Sequence, residues 1–271
     1  MSTLLRRELA PIQGDAWKMI DEEAARILKG NLTARALVDF SGPHGLEKAA
    51  INLGSLGKPG TEVVKGVSWR LRRVLPLVEQ RVDFTLSLAD LDQVARGGET
   101  PDLEPVANAA EKAANFEERA LYLGLPEAGH EGMVSASTHK KVALEAAPGG
   151  YPKSVESAVH ALQSGGIAGP YHLVLGRAAY RALAVGDNHG YPLHKRIRDL
   201  LEGGEIRWSP AVEGGMLFSG RGGDYELVVG QDYAIGFAGC EGNTVKLFLL
   251  SSFAFRVLEP AAAVVLTQKS S

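Results

Sequence analysis

Apolar residues recur at helical spacing over residues 16–32, where Trp17, Ile20, Ala24, Ile27 and Leu28 share a face and Asp15 stands as the expected N-cap. A short amphipathic segment precedes this helix. In it Leu4, Leu5 and Leu9 flank Arg6, Arg7 and Glu8, and Pro11 separates the two. SGPHGLEK at 41–48 reads as a turn. Residues 50–74 are polar and punctuated by glycine, with short strands predicted near Glu62–Val64 and Val67–Leu71. Together they make a long hairpin rather than a packed layer. Such a hairpin is out of place in a compact monomer and makes sense when something packs on it.

The period then becomes two. Over 76–91, Val82, Phe84, Leu86 and Leu88 alternate with Asp83, Thr85 and Ser87, as in a half-buried strand. Pro105 opens a long helix whose apolar stripe is Val106, Ala109, Ala113, Phe116, Ala120 and Leu123, and Gly124 ends it. Further on, Tyr151–Ser164 is helical with Val155, Val159 and Leu162 inward, and Tyr171–Leu175 is a buried strand. Arg177–Ala184 is a short helix, a glycine-bearing loop spans 183–193, and His194–Leu201 is helical. The remainder reads as strand over 214–219, 225–237 (broken at Gly230), 244–258 and 262–267. Helices and strands mix without βαβ regularity, so the predicted class is α+β. Asp232 stands in an otherwise apolar run, Gln231–Phe237, where a carboxylate is costly to bury unless it is paired.

With 271 residues, 45% of them hydrophobic, the chain is long enough for a sizeable core. The net charge is −3, and basic residues are dispersed apart from short clusters such as Arg70, Arg72 and Arg73. A nucleic-acid-binding protein would concentrate them on one face. The single cysteine, Cys240, cannot form an internal disulfide and is expected in a loop as an inert thiol. The first residues lack the apolar run of a signal peptide, and no stretch approaches a membrane span, so the expected location is cytoplasmic.

Catalytic motifs are missing. The sequence has no GxSxG, HExxH, CxxC or Walker A pattern. SGRGGD at 219–224 precedes a strand, not a helix, and reads as a turn rather than a phosphate cradle. His189 and His194, the tightest histidine pair, lie across a proline in poor metal geometry, so no metal site is expected. Glu79, Arg81 and Asp83 alternate on one strand face and read first as an ion-pair network, second as a catalytic set. A sizeable chain with no convergent catalytic set, an awkward hairpin and a detached amphipathic N-terminus looks built for assembly.

Collinear segments point to a family: LLRRELAPI at the start, LVDFSGPHG at 37–45 and LPLVEQRVDFTLSLADLDQVARG at 75–97, then GPYHLVLG at 169–176, GYPLHKRI at 190–197, RGGDYELVVGQDYAIGF at 221–237 and FRVLEP at 255–260. The chain resembles the encapsulin shell proteins of the first family, bacterial nanocompartments with the HK97-type fold of tailed-phage capsid proteins. The resemblance implies an α+β subunit in three parts: a peripheral domain (1–49, 75–132 and 223–258) including the N-terminal helix, an extended loop (50–74) packing on a neighbour, and an axial domain (133–222 and 259–271). It implies no enzyme activity and a homo-oligomer, expected as the smallest icosahedral lattice, T=1 with about 60 copies. A cargo enzyme, such as a dye-decolorising peroxidase or a ferritin-like protein, would dock through a C-terminal targeting peptide.

Motif by motif, the implied cargo groove takes Arg35 and Asp39 from ARALVDF and Asp232 and Ile235 from GQDYAIGF, with apolar contact from Leu5 and Leu9. Its alternative is an Arg35–Asp39 pair and an internally satisfied Asp232. Asp187, Asn188 and His189 match the segment lining a five-fold pore, where a ring of identical polar side chains would filter small ions; otherwise they form a solvated loop. Some relatives bind a flavin through a tryptophan in the segment matching SLADLD. Here that position is Ala89, so no flavin is expected there and no cofactor is expected. The competing readings are a prophage-type major capsid protein, less favoured because the N-terminal helix begins almost at once, and a stand-alone enzyme around Glu79, Arg81 and Asp83.

Overall fold

The computed structural model describes residues 4–98, 101–185, 187–188 and 191–268. Two sheets organise them. The first is built on the long strand Thr244–Val257, which is antiparallel to Val78–Ser87 over residues 244–253, to Ala234–Glu241 over 244–250, and to Tyr225–Val229 over 253–257. Asp39–Ser41 adds a parallel edge beside Tyr225–Val229. The expected break at Gly230 is real: the Gly230 N–H donates to the Ser252 carbonyl and the Gln231 N–H to Ser252 Oγ, 2.8 and 2.9 Å, so the chain crosses from one strand to the next without leaving the long partner strand.

The second sheet is mixed, in the order Ile206–Trp208, Tyr171–Leu175, Gly215–Ser219, Ala263–Gln268, Val142–Leu144. Helices Tyr151–Ser164, Arg177–Val185 and Leu193–Leu200 pack around it. The core runs on between the sheets without a seam. Phe218 of the second sheet meets Tyr225 of the first edge-on at 5.8 Å, and Tyr225 stacks on Phe255 at 6.5 Å. Tight backbone approach seals the second sheet: a Cβ on Gly204 would lie 1.7 Å from the Tyr171 carbonyl oxygen.

Helix Glu104–Leu123 is the spine. Pro105 sits in its first turn, where no N–H is needed, and Asp102 Oδ1 accepts the Glu104 N–H at 2.9 Å. Gly124, at φ 90°, ends it. The N-terminal helix Gly14–Asn31 lays Ala16, Ile20, Ala24 and Leu28 against this spine and the first sheet. Asp15 lies in its first turn and does not cap it; Gln13 holds that position without a side-chain hydrogen bond.

Three further expectations are corrected. The strand read over 76–91 stops at Ser87, whose Oγ accepts the Asp90 N–H at 3.3 Å and starts the helix Leu88–Ala95. The alternation of apolar residues continues past that cap, which hides the switch. Hairpin arms are Ala50–Pro59 and Arg70–Pro76; the expected arms around Glu62–Val64 and Val67–Leu71 fall mostly in the tip, where Trp69 Nε1–H donates to the Thr61 carbonyl at 2.9 Å. Cys240 is exposed on the strand Ala234–Glu241, not in a loop.

Apart from Ile51 and Leu75 at its base, the hairpin buries almost nothing. Leu53, Leu56, Val63, Val64, Val67, Trp69, Leu71 and Val74 are exposed, up to 81% for Val63. Among the described residues no helix is long and apolar enough to cross a membrane.

Candidate functional site

The site grows from the short turn Ala34–Ala36 that follows the N-terminal helix. Glu118 fixes this turn: its buried carboxylate accepts the Thr33 hydroxyl, the Ala34 N–H and the Ser209 hydroxyl at 2.5, 2.7 and 2.8 Å. Burial raises its pKa, against the pull of these hydrogen bonds. One carboxylate thus ties the end of the first helix, the spine and the second sheet.

Held there, Arg35 turns its guanidinium inward. Nε and Nη2 donate to the two oxygens of Glu117 at 2.9 and 2.7 Å, a bidentate pair, and Nη1 donates to Asp232 Oδ1 at 2.7 Å. Burial works against the cation, but the hydrogen bonds and charge of Glu117, then those of Asp232, outweigh it and raise the Arg35 pKa. The same guanidinium lies over the rings of Tyr233 (5.2 Å) and Phe40 (5.4 Å). Tyr233 completes the network. Its hydroxyl lies 3.1 Å from Glu117 Oε2 and accepts from Gln80 Nε2 at 2.8 Å, while burial and then the Glu117 charge push its pKa up. Gln80 also donates to Ser251 Oγ at 2.9 Å.

The arrangement is graded outward. The Glu117 side chain is 1% exposed, Arg35 16% and Asp232 41%. Asp232 Oδ1 also accepts the Tyr233 N–H at 2.8 Å, so the half-exposed end of the network is a carboxylate beside the exposed Phe40 ring. This is a rigid ionic and aromatic surface. It holds no nucleophile beside a base, and among the described residues no three His, Cys, Asp or Glu side chains gather as metal ligands.

Of the residues expected in one groove, the structure joins Arg35 and Asp232. Asp39 engages elsewhere: its Oδ2 accepts the Gly223 N–H at 2.5 Å, so an Arg35–Asp39 pair does not form. Ile235 is 3% exposed and packs in the core with Leu249 and the N-terminal helix, so its side chain offers no surface to a ligand. Leu5 and Leu9 lie at the other end of that helix. The Leu5 carbonyl accepts the Phe237 N–H at 2.8 Å along the sheet edge, and Leu9 is 65% exposed. Arg7 clamps this segment down, pairing with both oxygens of Asp21 at 3.1 and 2.7 Å and lying 4.0 Å over the Trp17 ring.

Asp187–Asn188 pairs with Tyr191–Pro192 in a short antiparallel ladder, and His189 lies outside the described residues. Arg81 and Asp83 pair on an exposed face at 2.8 Å, with Arg81 3.9 Å over Phe248, an ion pair and not a catalytic set. Ala89 is exposed on the short helix, its N–H donating to Asn243 Oδ1 at 3.1 Å.

Sequence reading missed Glu117, Tyr233 and Gln80. A signal existed for Glu117. It stands between Ala113 and Ala120 on the buried stripe of the spine helix, where a carboxylate demands a partner.

Comparison with known proteins agrees with this architecture. The family model described as "Encapsulating protein for peroxidase" matches residues 1–254. The chain is 40% identical to the Type 1 encapsulin shell protein of Brevibacterium linens over 263 residues, 97% of this chain and 98% of the relative. To the Type 1 encapsulin shell protein of Rhodococcus erythropolis it is 39% identical, covering 97% and 99%. Among solved structures, the virus-like particle from Pyrococcus furiosus superposes with a TM-score of 0.68 at 18% identity, covering 92% of this chain and 98% of that one. This last likeness establishes a shared HK97-type capsid fold.

Proposed function

This chain belongs to the encapsulin family, and we propose that its copies close into an icosahedral shell around a cargo enzyme. The observation that carries this reading is the hairpin Ala50–Pro76. Its exposed valines, leucines and Trp69 form apolar surface that the subunit itself leaves uncovered, and such a surface marks a protein interface. Neighbouring copies are the occupants that a closed symmetric assembly supplies. Within the shell, 1–49, 75–132 and 223–258 form a peripheral domain, 133–222 and 259–271 an axial domain, and the hairpin the extended loop between neighbours. The lattice we propose is T=1, with about 60 copies.

Cargo docks by a C-terminal targeting peptide over the N-terminal helix. Exposed Leu9 and part-exposed Leu5 offer apolar contact at one end, and the Arg35–Asp232 pair, with Phe40, offers charge and an aromatic face at the other. An extended peptide needs this combination of apolar anchors and charged register points. The Ile235 side chain contributes only from beneath, as core support. Asp187, Asn188 and His189 form the polar rim of a five-fold pore for small molecules, and the particle resides in the cytoplasm. The cargo class is a dye-decolorising peroxidase or a ferritin-like protein.

Size-exclusion chromatography followed by negative-stain electron microscopy tests the shell. Uniform hollow particles are expected, and their diameter separates T=1 from larger lattices. A monomer or dimer peak without particles refutes it. For docking, co-expression with a peptide-tagged reporter should load wild-type particles. Deleting residues 1–10 should reduce loading more than particle yield, and unchanged loading removes the groove assignment.

A further inference from the structure

A depression flanking the second sheet carries different chemistry. Two adjoining cavities, of about 650 and 260 Å³, share Tyr180 and Trp208 as wall residues. Trp208 ends the edge strand of its sheet, and Tyr180 rises from the helix Arg177–Val185 beside it. Guanidinium groups surround this aromatic pair: Arg198 and Arg207 line the larger cavity, Arg177 and Arg181 the smaller. The Arg177 guanidinium lies 5.6 Å from the centre of the Trp208 ring. Glu205, the carboxylate in the wall, is taken by Arg207 at 2.5 Å. Among the described residues Arg177, Arg181 and Arg198 form no ion pair.

These arginines are scattered in the sequence and look unremarkable there. The fold collects them because the strand Ile206–Trp208 runs parallel to Tyr171–Leu175, bringing residues 207 and 208 alongside the helix that follows residue 175. Uncompensated guanidiniums around a part-exposed indole recognise a ligand that is both flat and anionic. Guanidinium forks match phosphate oxygens, and the indole face accepts a ring by stacking. The volume lies in the range that encloses a small molecule rather than a protein segment.

We propose that this depression is a mononucleotide-binding site, with the base stacked against Trp208 and Tyr180 and the phosphates held by Arg177, Arg181 and Arg198. The site uses none of the residues assigned to cargo docking, so the two readings stand or fall separately.

The test is a fluorescence-polarisation titration of the purified, assembled protein with mant-ADP. Unlabelled ADP, adenosine and inorganic tripolyphosphate serve as competitors. Saturable binding is expected, displaced by ADP well below the concentrations that adenosine or tripolyphosphate require. Trp208→Leu should weaken it about ten-fold, the typical worth of one stacked base, while Trp208→Phe should stay within about three-fold because the ring remains. The double variant Arg177→Gln/Arg181→Gln should weaken ADP and tripolyphosphate alike and leave adenosine unchanged. Absence of saturable binding below about 1 mM overturns the proposal. So does displacement by tripolyphosphate equal to that by ADP, with no effect of Trp208→Leu. Binding by dissociated subunits but not by the assembled particle also overturns it, because the depression is then a contact between copies.

Discussion

Removing Glu117 should cost far more than removing Asp232, although both bind the same guanidinium. In Glu117→Leu the Arg35 fork loses both of its inner acceptors, and the Tyr233 hydroxyl loses an acceptor at 3.1 Å. Arg35 is only 16% exposed, so water replaces little of what is lost. Breaking one side of a buried pair costs about 3–5 kcal/mol, and the surviving Asp232 contact places this site near about 3 kcal/mol. In Asp232→Ala the lost partner was 41% exposed and Arg35 keeps its bidentate bond, so the cost is about 1 kcal/mol or less. The assay is the guanidinium midpoint and slope of both variants beside the wild type. The double variant Arg35→Met/Glu117→Leu removes the uncompensated charge and should recover part of the Glu117→Leu loss. Equal costs for the two single variants, or no recovery in the double, would refute the view that burial grades this network.

Glu118→Ala leaves the Thr33 hydroxyl, Ala34 N–H and Ser209 hydroxyl without their shared acceptor, and should cost about 3 kcal/mol or more by denaturant unfolding; a loss under about 1 kcal/mol would show that these donors find water. Mild acid should weaken the fold through two histidines. Burial lowers the pKa of His130, whose Nε2 lies 2.8 Å from the Pro76 carbonyl, and of His172, whose Nδ1 accepts the Glu205 N–H. The folded state therefore holds these rings neutral. That contribution is complete above the unfolded value near 6.5 and is lost as pH falls through the lowered folded values. The midpoint temperature should drop from pH 7 to pH 5.5, with a smaller drop in His130→Gln; a flat profile contradicts it. Gly204→Ala should abolish the folded subunit because its Cβ would strike the Tyr171 carbonyl, whereas Gly149→Ala, with no atom within 4 Å, should change stability by less than about 0.5 kcal/mol; soluble yield and thermal melts separate the two.

Much of this was legible from residue order. The helix Glu104–Leu123 with Val106, Ala109, Ala113 and Ala120 inward, the N-terminal amphipathic helix, the strand alternation before Ser87 and the break at Gly230 all follow from local spacing, although Phe116 and Leu123 of the expected stripe are exposed. The family followed from collinear motifs, and the same motifs named Arg35 and Asp232. The fold seats Ile235 in the core and ties Asp39 to the Gly223 N–H, apart from the Arg35–Asp232 pair, because a motif identifies a neighbourhood without orienting each side chain. In a strand, a one-residue change of phase moves a side chain from surface to core. Ile235 lies opposite Leu249 in the ladder, on the face covered by the N-terminal helix. That phase is decided by pairing with a strand that begins several residues later, not by the run in which Ile235 sits.

By itself, the sequence determined periodicity, and through it most of the helices and strands and the α+β class, but not the helix Leu88–Ala95 or the arms of the hairpin. Periodicity is a local property, dictated by backbone geometry within each segment. Only the tertiary structure decided who meets whom. Arg35 joined Glu117 across 82 positions and Asp232 across 197, and Arg177 came to rest over Trp208. Contacts of that span form when the sheets and the spine pack together, and the low-dielectric interior then decides which charges find partners and which remain at the surface.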